Sequence, residues 1–275
     1  MAAHLRASLF QGPEFSGETS DNLDVIARAA EVASSAGADI LVTSEMSATG
    51  YDIGELVRVR AEPADGPIFD AVAALARRTG VAIVYGYPEM ADRTNDKPGV
   101  YNSVQVVGAD GSVLARYRKT HLFGDLDRRH FLPGAELVVQ FQMNGVTCGL
   151  LTCYDVEFPE AVRAHSDSGT DWLIVPTGLM VPFDIVATHV VPARAYESQL
   201  FIAYVNRCGS ETDLQYCGLT CAIGPDGAEL GRAGRIQESI SVDIDTAVLA
   251  RSRAVNTHLA DRRSDLYSAD GRGSS

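Results

Sequence analysis

Three side chains far apart in the chain are of the types that acyl transfer needs. They are Glu45 in Thr43-Ser-Glu-Met46, Lys119 in Arg118-Lys-Thr-His-Leu-Phe-Gly124, and Cys153 in Gly149-Leu-Leu-Thr-Cys-Tyr-Asp-Val-Glu-Phe-Pro-Glu160. A carboxylate can take a thiol proton, an ammonium can hold a thiolate or an oxyanion, and sulfur can attack a carbonyl or nitrile carbon. Taken singly, each has an ordinary reading: a buried cysteine is a small hydrophobe, and the other two are a solvated lysine and a loop acid. Their shared position gives them weight. Each ends or closely follows an apolar run that reads as a buried strand, and strand ends converge at one rim of an open α/β sheet, where chemistry is placed. Cys153 also stands where a strand gives way to a helix started by Pro159, so nearby backbone N–H groups, that of Tyr154 foremost, are expected to face an oxyanion. His121 offers a competing Cys–His pairing. An extended segment would point it away from its neighbours' face, which favours a structural role.

The elements that must position these residues are legible as alternating patterns. Leu5 to Leu9 reads as a strand, and Asp21 to Ala33 follows with helical spacing after a Ser20 or Asp21 cap. Asp39 to Thr43 is the strand that delivers Glu45. Ile68 to Arg77 is amphipathic, and Val81 to Tyr85 is a continuous apolar run. Ser103 to Val107 and Val113 to Tyr117 form a hairpin through Gly108-Ala-Asp-Gly111, which carries Lys119 to its far end. Val146 to Thr152 is the strand that delivers Cys153, with a helix over Glu160 to His165 behind Pro159. Trp172 to Val175 and Phe201 to Val205 read as strands around a helix at Val190 to Gln199. Thr220 to Ile223 turns through Gly224-Pro-Asp-Gly227 into Glu229 to Arg232, an echo of the earlier hairpin. Ser239 to Ile244 and Ala247 to Arg253 close the pattern. The echo predicts two similar α-β-β-α halves packed sheet to sheet, an α/β four-layer sandwich with helices outside.

Composition narrows the class. With 275 residues and 46% hydrophobic content, the chain can bury one large core, so a single domain over 1–275 is expected, with a mobile Gly/Ser-rich tail at 269–275. No window approaches the roughly 18 apolar residues needed to span a bilayer. Met1-Ala-Ala-His-Leu-Arg6 lacks the apolar core of a secretory signal, so a cytoplasmic protein without a membrane partner is expected. A net charge of −13 argues against nucleic acid. The five cysteines contain no CxxC pair, and no paired histidines accompany Cys217 and Cys221; buried thiols are expected there rather than a metal.

Three blocks carry a family resemblance: Glu45-Met-Ser-Ala-Thr-Gly-Tyr-Asp-Ile-Gly54, Tyr117-Arg-Lys-Thr-His-Leu-Phe-Gly124 and Leu151-Thr-Cys-Tyr-Asp-Val-Glu-Phe-Pro-Glu160. In order and spacing they resemble the signatures of the nitrilase, or carbon-nitrogen hydrolase, superfamily, over about residues 4 to 267 and including Asp261-Arg-Arg-Ser-Asp-Leu-Tyr267. The resemblance implies an αββα sandwich, a Glu45–Lys119–Cys153 triad, no metal or organic cofactor, and assembly into a homodimer or larger. A second glutamate usual in the superfamily is replaced by Asp127, about eight residues after the lysine, one methylene shorter. An acid there would tune the charges of the triad, although a salt-bridged loop acid near Arg128 and Arg129 is the plainer reading.

Tyr85-Gly-Tyr-Pro-Glu89, Phe123-Gly-Asp-Leu-Asp-Arg128, Pro192-Ala-Arg-Ala-Tyr-Glu197 and Tyr216-Cys-Gly218 are similar to a branch of aliphatic amidases of the 5-aminopentanamidase kind. That branch implies hydrolysis of small linear amides such as 5-aminopentanamide or 4-guanidinobutanamide. A nitrile or an N-carbamoyl compound can enter the same thiol path, so the triad alone does not separate amidase from nitrilase. Acyl transfer, or service as an inactive subunit, is the competing class. Tyr51, Tyr154, Glu157, Met180, Pro182, Phe183 and Asp184 flank the triad and are candidates for the pocket, against ordinary loop packing. A cationic substrate terminus would need a buried acid, Asp184 or Glu157, while Glu157 has the competing task of holding Lys119.

Overall fold

Apolar runs and helical periods resolve into two six-stranded sheets with helices outside them, in a computed structural model that describes residues 3–14, 17–91 and 99–266. The expected mobile tail at 269–275 lies outside the described residues. The first half contains β1 (His4–Gln11), α1 (Thr19–Ser35), β2 (Ile40–Val42), α2 (Leu56–Val59), α3 (Pro67–Thr79), β3 (Ala82–Met90), β4 (Val100–Val107) and β5 (Val113–Arg118). The chain continues through α4 (Gly124–His130), β6 (Val139–Met143), β7 (Val146–Leu150), α5 (Pro159–Asp167), β8 (Trp172–Pro176) and α6 (Val191–Ser198). It closes with β9 (Phe201–Val205), β10 (Ser210–Glu211), β11 (Leu214–Gln215), β12 (Cys221–Ile223), β13 (Glu229–Arg232), β14 (Glu238–Asp245) and α7 (Thr246–Val255).

The strand orders are β14-β1-β2-β3-β4-β5 and β13-β12-β9-β8-β7-β6. Read from β14 and from β6, both sheets follow one pattern. An antiparallel edge strand is followed by three parallel strands (β1-β2-β3 and β7-β8-β9) and then an antiparallel hairpin (β4-β5 and β12-β13). The halves differ in where the edge strand comes from: β6 directly precedes β7, whereas β14 returns from the far end of the chain to pair with β1. The expected echo is thus present as topology.

Alternation along the strands builds the layers. Leu5, Ala7 and Leu9 join a core shared with Trp172, Leu173, Ile202 and the apolar faces of α5 and α6. The intervening face, with Leu41, Ile83 and Tyr85, packs on Ile26 and Ala30 of α1 and Val72 and Ala76 of α3. The helix ends have local causes. α1 begins before the expected Ser20 or Asp21 cap, because Glu18 and Asp21 form a reciprocal capping box that uses the earlier residue. Pro67 starts α3, and Gly80 ends it in the left-handed region at φ 70°. The helix expected from Val190 begins earlier, since a π-helical stretch at Val186–Val190 runs into α6. No helix among the described residues is long and apolar enough to cross a membrane.

Candidate active site

Glu45 lies just past the end of β2, on a loop clamped from several sides. Thr43 Oγ1 donates to Val84 O at 2.8 Å, Ser44 Oγ to Gly12 O at 2.6 Å, and the Glu45 N–H to Thr177 O at 3.3 Å. The next residue, Met46, has φ 52°, an uncommon value for a side-chain-bearing residue. Gly86 in β3 makes the approach feasible: a Cβ there would sit 2.3 Å from the Met46 nitrogen. Lys119 extends the β4–β5 ladder beyond β5, donating its N–H to Asn102 O at 2.9 Å. Its ammonium is fully buried, 2.8 Å from Glu45 Oε1 and 2.7 Å from Asp127 Oδ2. Asn102 Nδ2 donates to the same Glu45 oxygen at 2.7 Å.

Cys153 opens a 3-10 turn, Cys153–Glu157, that follows β7. Thr152 and Asp155 form a reciprocal capping box, which bends the chain so that Cys153 takes φ 50°. Left-handed backbone at a cysteine is strained, and such strain collects at functional sites. The sulfur lies among Glu45, Lys119, Thr177 and the backbone of Gly178. Gly178 leaves room for this, since a Cβ there would lie 3.1 Å from Glu45 Oε2 and 3.2 Å from Tyr51 Cδ1.

Two carboxylates and one ammonium share this dry space, and the charges set the pKa values. Burial raises Glu45; Lys119 lowers it, Asp127 raises it, and the net direction is up. That direction is physically sound, because the cluster carries one surplus negative charge that the low-dielectric interior resists. Desolvation works against the Lys119 charge, but Asp127 and Glu45 outweigh it and hold the ammonium well above its ordinary value. Burial, then Glu45, pushes the Cys153 thiol up, so it rests protonated. The arrangement is a neutral thiol beside a carboxylate with raised proton affinity and a fixed ammonium. It can move a proton from sulfur to carboxylate and hold charge on an attacked oxygen.

The structure distributes the expected residues unevenly. Asp127, expected as a tuning acid, is buried in α4 and accepts from Lys119, the Phe123 N–H at 2.8 Å and the Tyr51 hydroxyl at 2.8 Å. The salt-bridged surface acid of the plainer reading is instead Asp125, which pairs with Arg129. Tyr154, Glu157, Met180 and Phe183 line a cavity of about 230 Å³ with Cys153 at its base, together with Phe123 and Leu179. Tyr51 is buried beneath it and supports Asp127 rather than lining it. Besides Tyr51, two further pocket candidates are corrected. Neither Pro182 nor Asp184 lines this cavity, and the Asp184 carboxylate is taken by Arg235 and the Cys217 thiol on the outer side of the loop. Glu157 makes no direct bond to Lys119, whose ammonium is held by Glu45 and Asp127, and feels it only through charge. His121 stacks on Phe158 at 3.9 Å and meets Asp155 at 2.8 Å, away from the sulfur.

Asp155 was missed by pattern reading. Its carboxylate accepts from Tyr117 Oη at 2.8 Å, Thr120 Oγ1 at 2.9 Å, the His121 N–H at 2.8 Å and the Thr152 N–H at 3.2 Å. It thereby ties the segment that carries Lys119 to the turn that carries Cys153. An acid two residues after the thiol was visible in the sequence, but its partners were not.

A helix-flanked double sheet with a buried thiol, ammonium and carboxylates at one rim defines a thiol-dependent hydrolase, and comparison with known proteins gives the family. The sequence model of the carbon-nitrogen hydrolase family matches residues 6–254. The chain is 41% identical to the "hydrolase in pqqF 5'region" of Pseudomonas protegens over 96% of this chain and 90% of that one. It is 33% identical to the 2-oxoglutaramate amidase of Bacillus subtilis, over 84% and 87% of the two chains. Its fold matches a mutant of the amidase from Nesterenkonia sp. AN1 with TM-score 0.84 and 33% identity, over 96% and 95% of the chains. That structure shows covalent addition of the acetamide moiety of fluoroacetamide at the active site cysteine. The chain belongs to the carbon-nitrogen hydrolase family and is an amidase of the nitrilase superfamily.

Proposed function

We propose that the protein hydrolyses small linear aliphatic amides bearing a cation at the far end, such as 5-aminopentanamide or 4-guanidinobutanamide, to carboxylate and ammonia. Glu45 takes the proton of Cys153 as the sulfur attacks the amide carbon. Two of the three ammonium donors of Lys119 are committed to Glu45 and Asp127, and the third, with the Tyr154 N–H, faces the oxyanion. Protonated Glu45 gives its proton to the departing nitrogen as the C–N bond breaks and a thioester remains on Cys153. The same carboxylate then removes a proton from the water that cleaves the thioester, releasing the acid and restoring the thiol.

The observation that carries the substrate reading is Glu157. It is the carboxylate lining the cavity, half-buried, with aromatic rings of Phe123, Tyr154 and Phe183 around the same space. Among the described residues its carboxylate accepts no hydrogen bond and makes no ion pair; burial raises its pKa, against the more distant charges of Lys119 and Arg194, which lower it. A cationic terminus supplies the missing partner, and the ring faces add cation–π attraction. The Bacillus subtilis relative is named for 2-oxoglutaramate, an amide that carries a carboxylate, and Glu157 would repel such a group.

Comparing kcat/KM for 5-aminopentanamide, 4-guanidinobutanamide, hexanamide, 2-oxoglutaramate and a matched ω-amino nitrile tests the proposal. The cationic amides should exceed hexanamide by roughly thirtyfold to several-thousandfold, the span of about 2–5 kcal/mol that a buried charge left unpaired costs. In Glu157→Gln that preference should collapse while hexanamide turnover persists. Equal rates across the amides would refute charge recognition, and a faster nitrile would overturn the choice of amides.

A further inference from the structure

Behind the site, the chain leaving β9 carries a buried ion pair, Arg207 with Glu211. Arg207 is fully buried, and its Nη2 donates to Glu211 Oε1 at 2.7 Å. Arg207 Nη1 faces the carbonyl oxygens of both Glu45 and Met46 at 3.4 Å, so the guanidinium sits against the strained link at Met46. The Glu211 carboxylate accepts the N–H of Tyr51 at 3.1 Å and that of Asp52 at 3.0 Å, and also the Tyr216 hydroxyl. From Tyr51 the contacts continue: its hydroxyl donates to Asp127, and Asp127 holds Lys119. The neighbouring Asn206 grips the cavity wall, accepting the Leu179 N–H at 2.8 Å and donating to Leu179 O at 3.1 Å.

We infer that the Arg207–Glu211 pair is a positioning device for the reaction: Arg207 fixes where the Glu45 carboxylate stands, and Glu211, through Tyr51, fixes the Asp127–Lys119 pair. A buried ion pair is a poor way to gain stability, because desolvation offsets most of its attraction. Its planar fork and two-oxygen acceptor are a good way to hold two loops at a set distance. Met46 at φ 52° needs such a hold, since its backbone would otherwise relax and turn Glu45 away from the sulfur. The inference rests on the reading of Glu45 as general base. Neither Arg207 nor Glu211 touches substrate; both act through Glu45, Tyr51 and Lys119.

The test uses Tyr216→Phe, Glu211→Gln and Arg207→Lys in the full-length protein, with Glu45→Gln as reference. For each, kcat, KM, the pH profile of kcat/KM and the rate of Cys153 alkylation by iodoacetamide are measured on protein whose folding is checked by circular dichroism. Glu211→Gln and Arg207→Lys should lower kcat tenfold or more with KM within threefold, shift the acid limb of the profile, and slow alkylation. Tyr216→Phe keeps the ion pair and should show the same changes in smaller measure, about twofold to fivefold, so it decides the matter if the other two do not fold. Folded variants with wild-type kcat, acid limb and alkylation rate would overturn the inference, whatever their melting temperatures. If Glu45→Gln is inactive in that case, the base assignment stands and only the positioning role falls. An active Glu45→Gln would overturn the base assignment and the inference with it.

Discussion

At Glu45 the demands of chemistry and of folding pull in opposite directions. Burial, together with Asp127, raises its pKa, which suits a base that must take a proton from a thiol that is itself shifted upward. Because the folded pKa lies above the ordinary carboxylate range, kcat/KM should fall as pH drops through that raised value and recover as pH rises. Glu45→Gln should remove this acid limb and lower kcat by about 10²–10⁴-fold, read in steady-state assays across pH. The stability sign is separate. A carboxyl whose pKa is raised by folding costs stability once pH exceeds its unfolded value, so at pH 7 ionised Glu45 is a liability. Thermal melts of Glu45→Gln at pH 7 should therefore show a Tm equal to or above that of the native chain. Lys119 behaves conversely: its raised pKa contributes stability throughout the neutral range and loses it only as pH rises through the folded value, above 10.5. Lys119→Met leaves two buried carboxylates without their cation and should cost about 3–5 kcal/mol in denaturant titrations.

Between elements, two glycines decide how closely the site's parts approach. In β3, a methyl at Gly86 would meet the Met46 nitrogen at 2.3 Å, backbone against backbone, with nothing flexible to give way. At Gly178, beyond β8, the obstacle is the Glu45 carboxylate at 3.1 Å, a side chain that can turn. The two substitutions should separate stability from activity. Gly86→Ala should lower unfolding free energy by about 1–3 kcal/mol or more. Gly178→Ala should keep most of its stability and lose kcat, because the displaced carboxylate no longer meets the sulfur. Denaturant midpoints and kcat, measured on both variants, check the pairing. A Gly178→Ala enzyme with native kcat would show that Glu45 tolerates the displacement.

For the whole molecule, the two sheets repeat one pattern of an edge strand, three parallel strands and a hairpin, and both Glu45 and Cys153 follow parallel strands of that pattern. β2 delivers Glu45 from one sheet and β7 delivers Cys153 from the other, so the site belongs to the seam between the halves and needs both. The net charge of −13 acts at longer range than any of these contacts. It draws cations toward the surface, and salt screens the attraction over roughly 8–10 Å at 0.1–0.15 M. For 5-aminopentanamide, kcat/KM should decline as ionic strength rises from about 0.01 to 0.5 M, whereas hexanamide should show little dependence. Parallel salt dependences for the two would remove the field from the account of specificity.

Much of the fold was legible because periodicity is a property of neighbours along the chain. The runs at Leu5–Leu9, Val81–Tyr85, Trp172–Val175 and Phe201–Val205 are strands in the structure, and the two glycine-bounded turns are hairpins. β6 carried the alternation Val139, Phe141, Met143 and could have been found, whereas α4, Gly-Asp-Leu-Asp-Arg-Arg-His, is too short and polar to show a helical stripe. The sequence alone also singled out Glu45, Lys119 and Cys153, since residue type and position after an apolar run are both local facts. Which acid faces the cavity was decided by tertiary structure: Glu157 lies on a 3-10 turn beside Cys153, while the path of its loop turns Asp184 outward to Arg235. The same holds for the Glu211 carboxylate on the Tyr51 amide, 160 positions away along the chain, and for Arg207 on the Glu45 carbonyl. Such partners leave no periodic trace, because a buried charge is matched by whatever the packing brings within about 3 Å of it, at any distance along the chain.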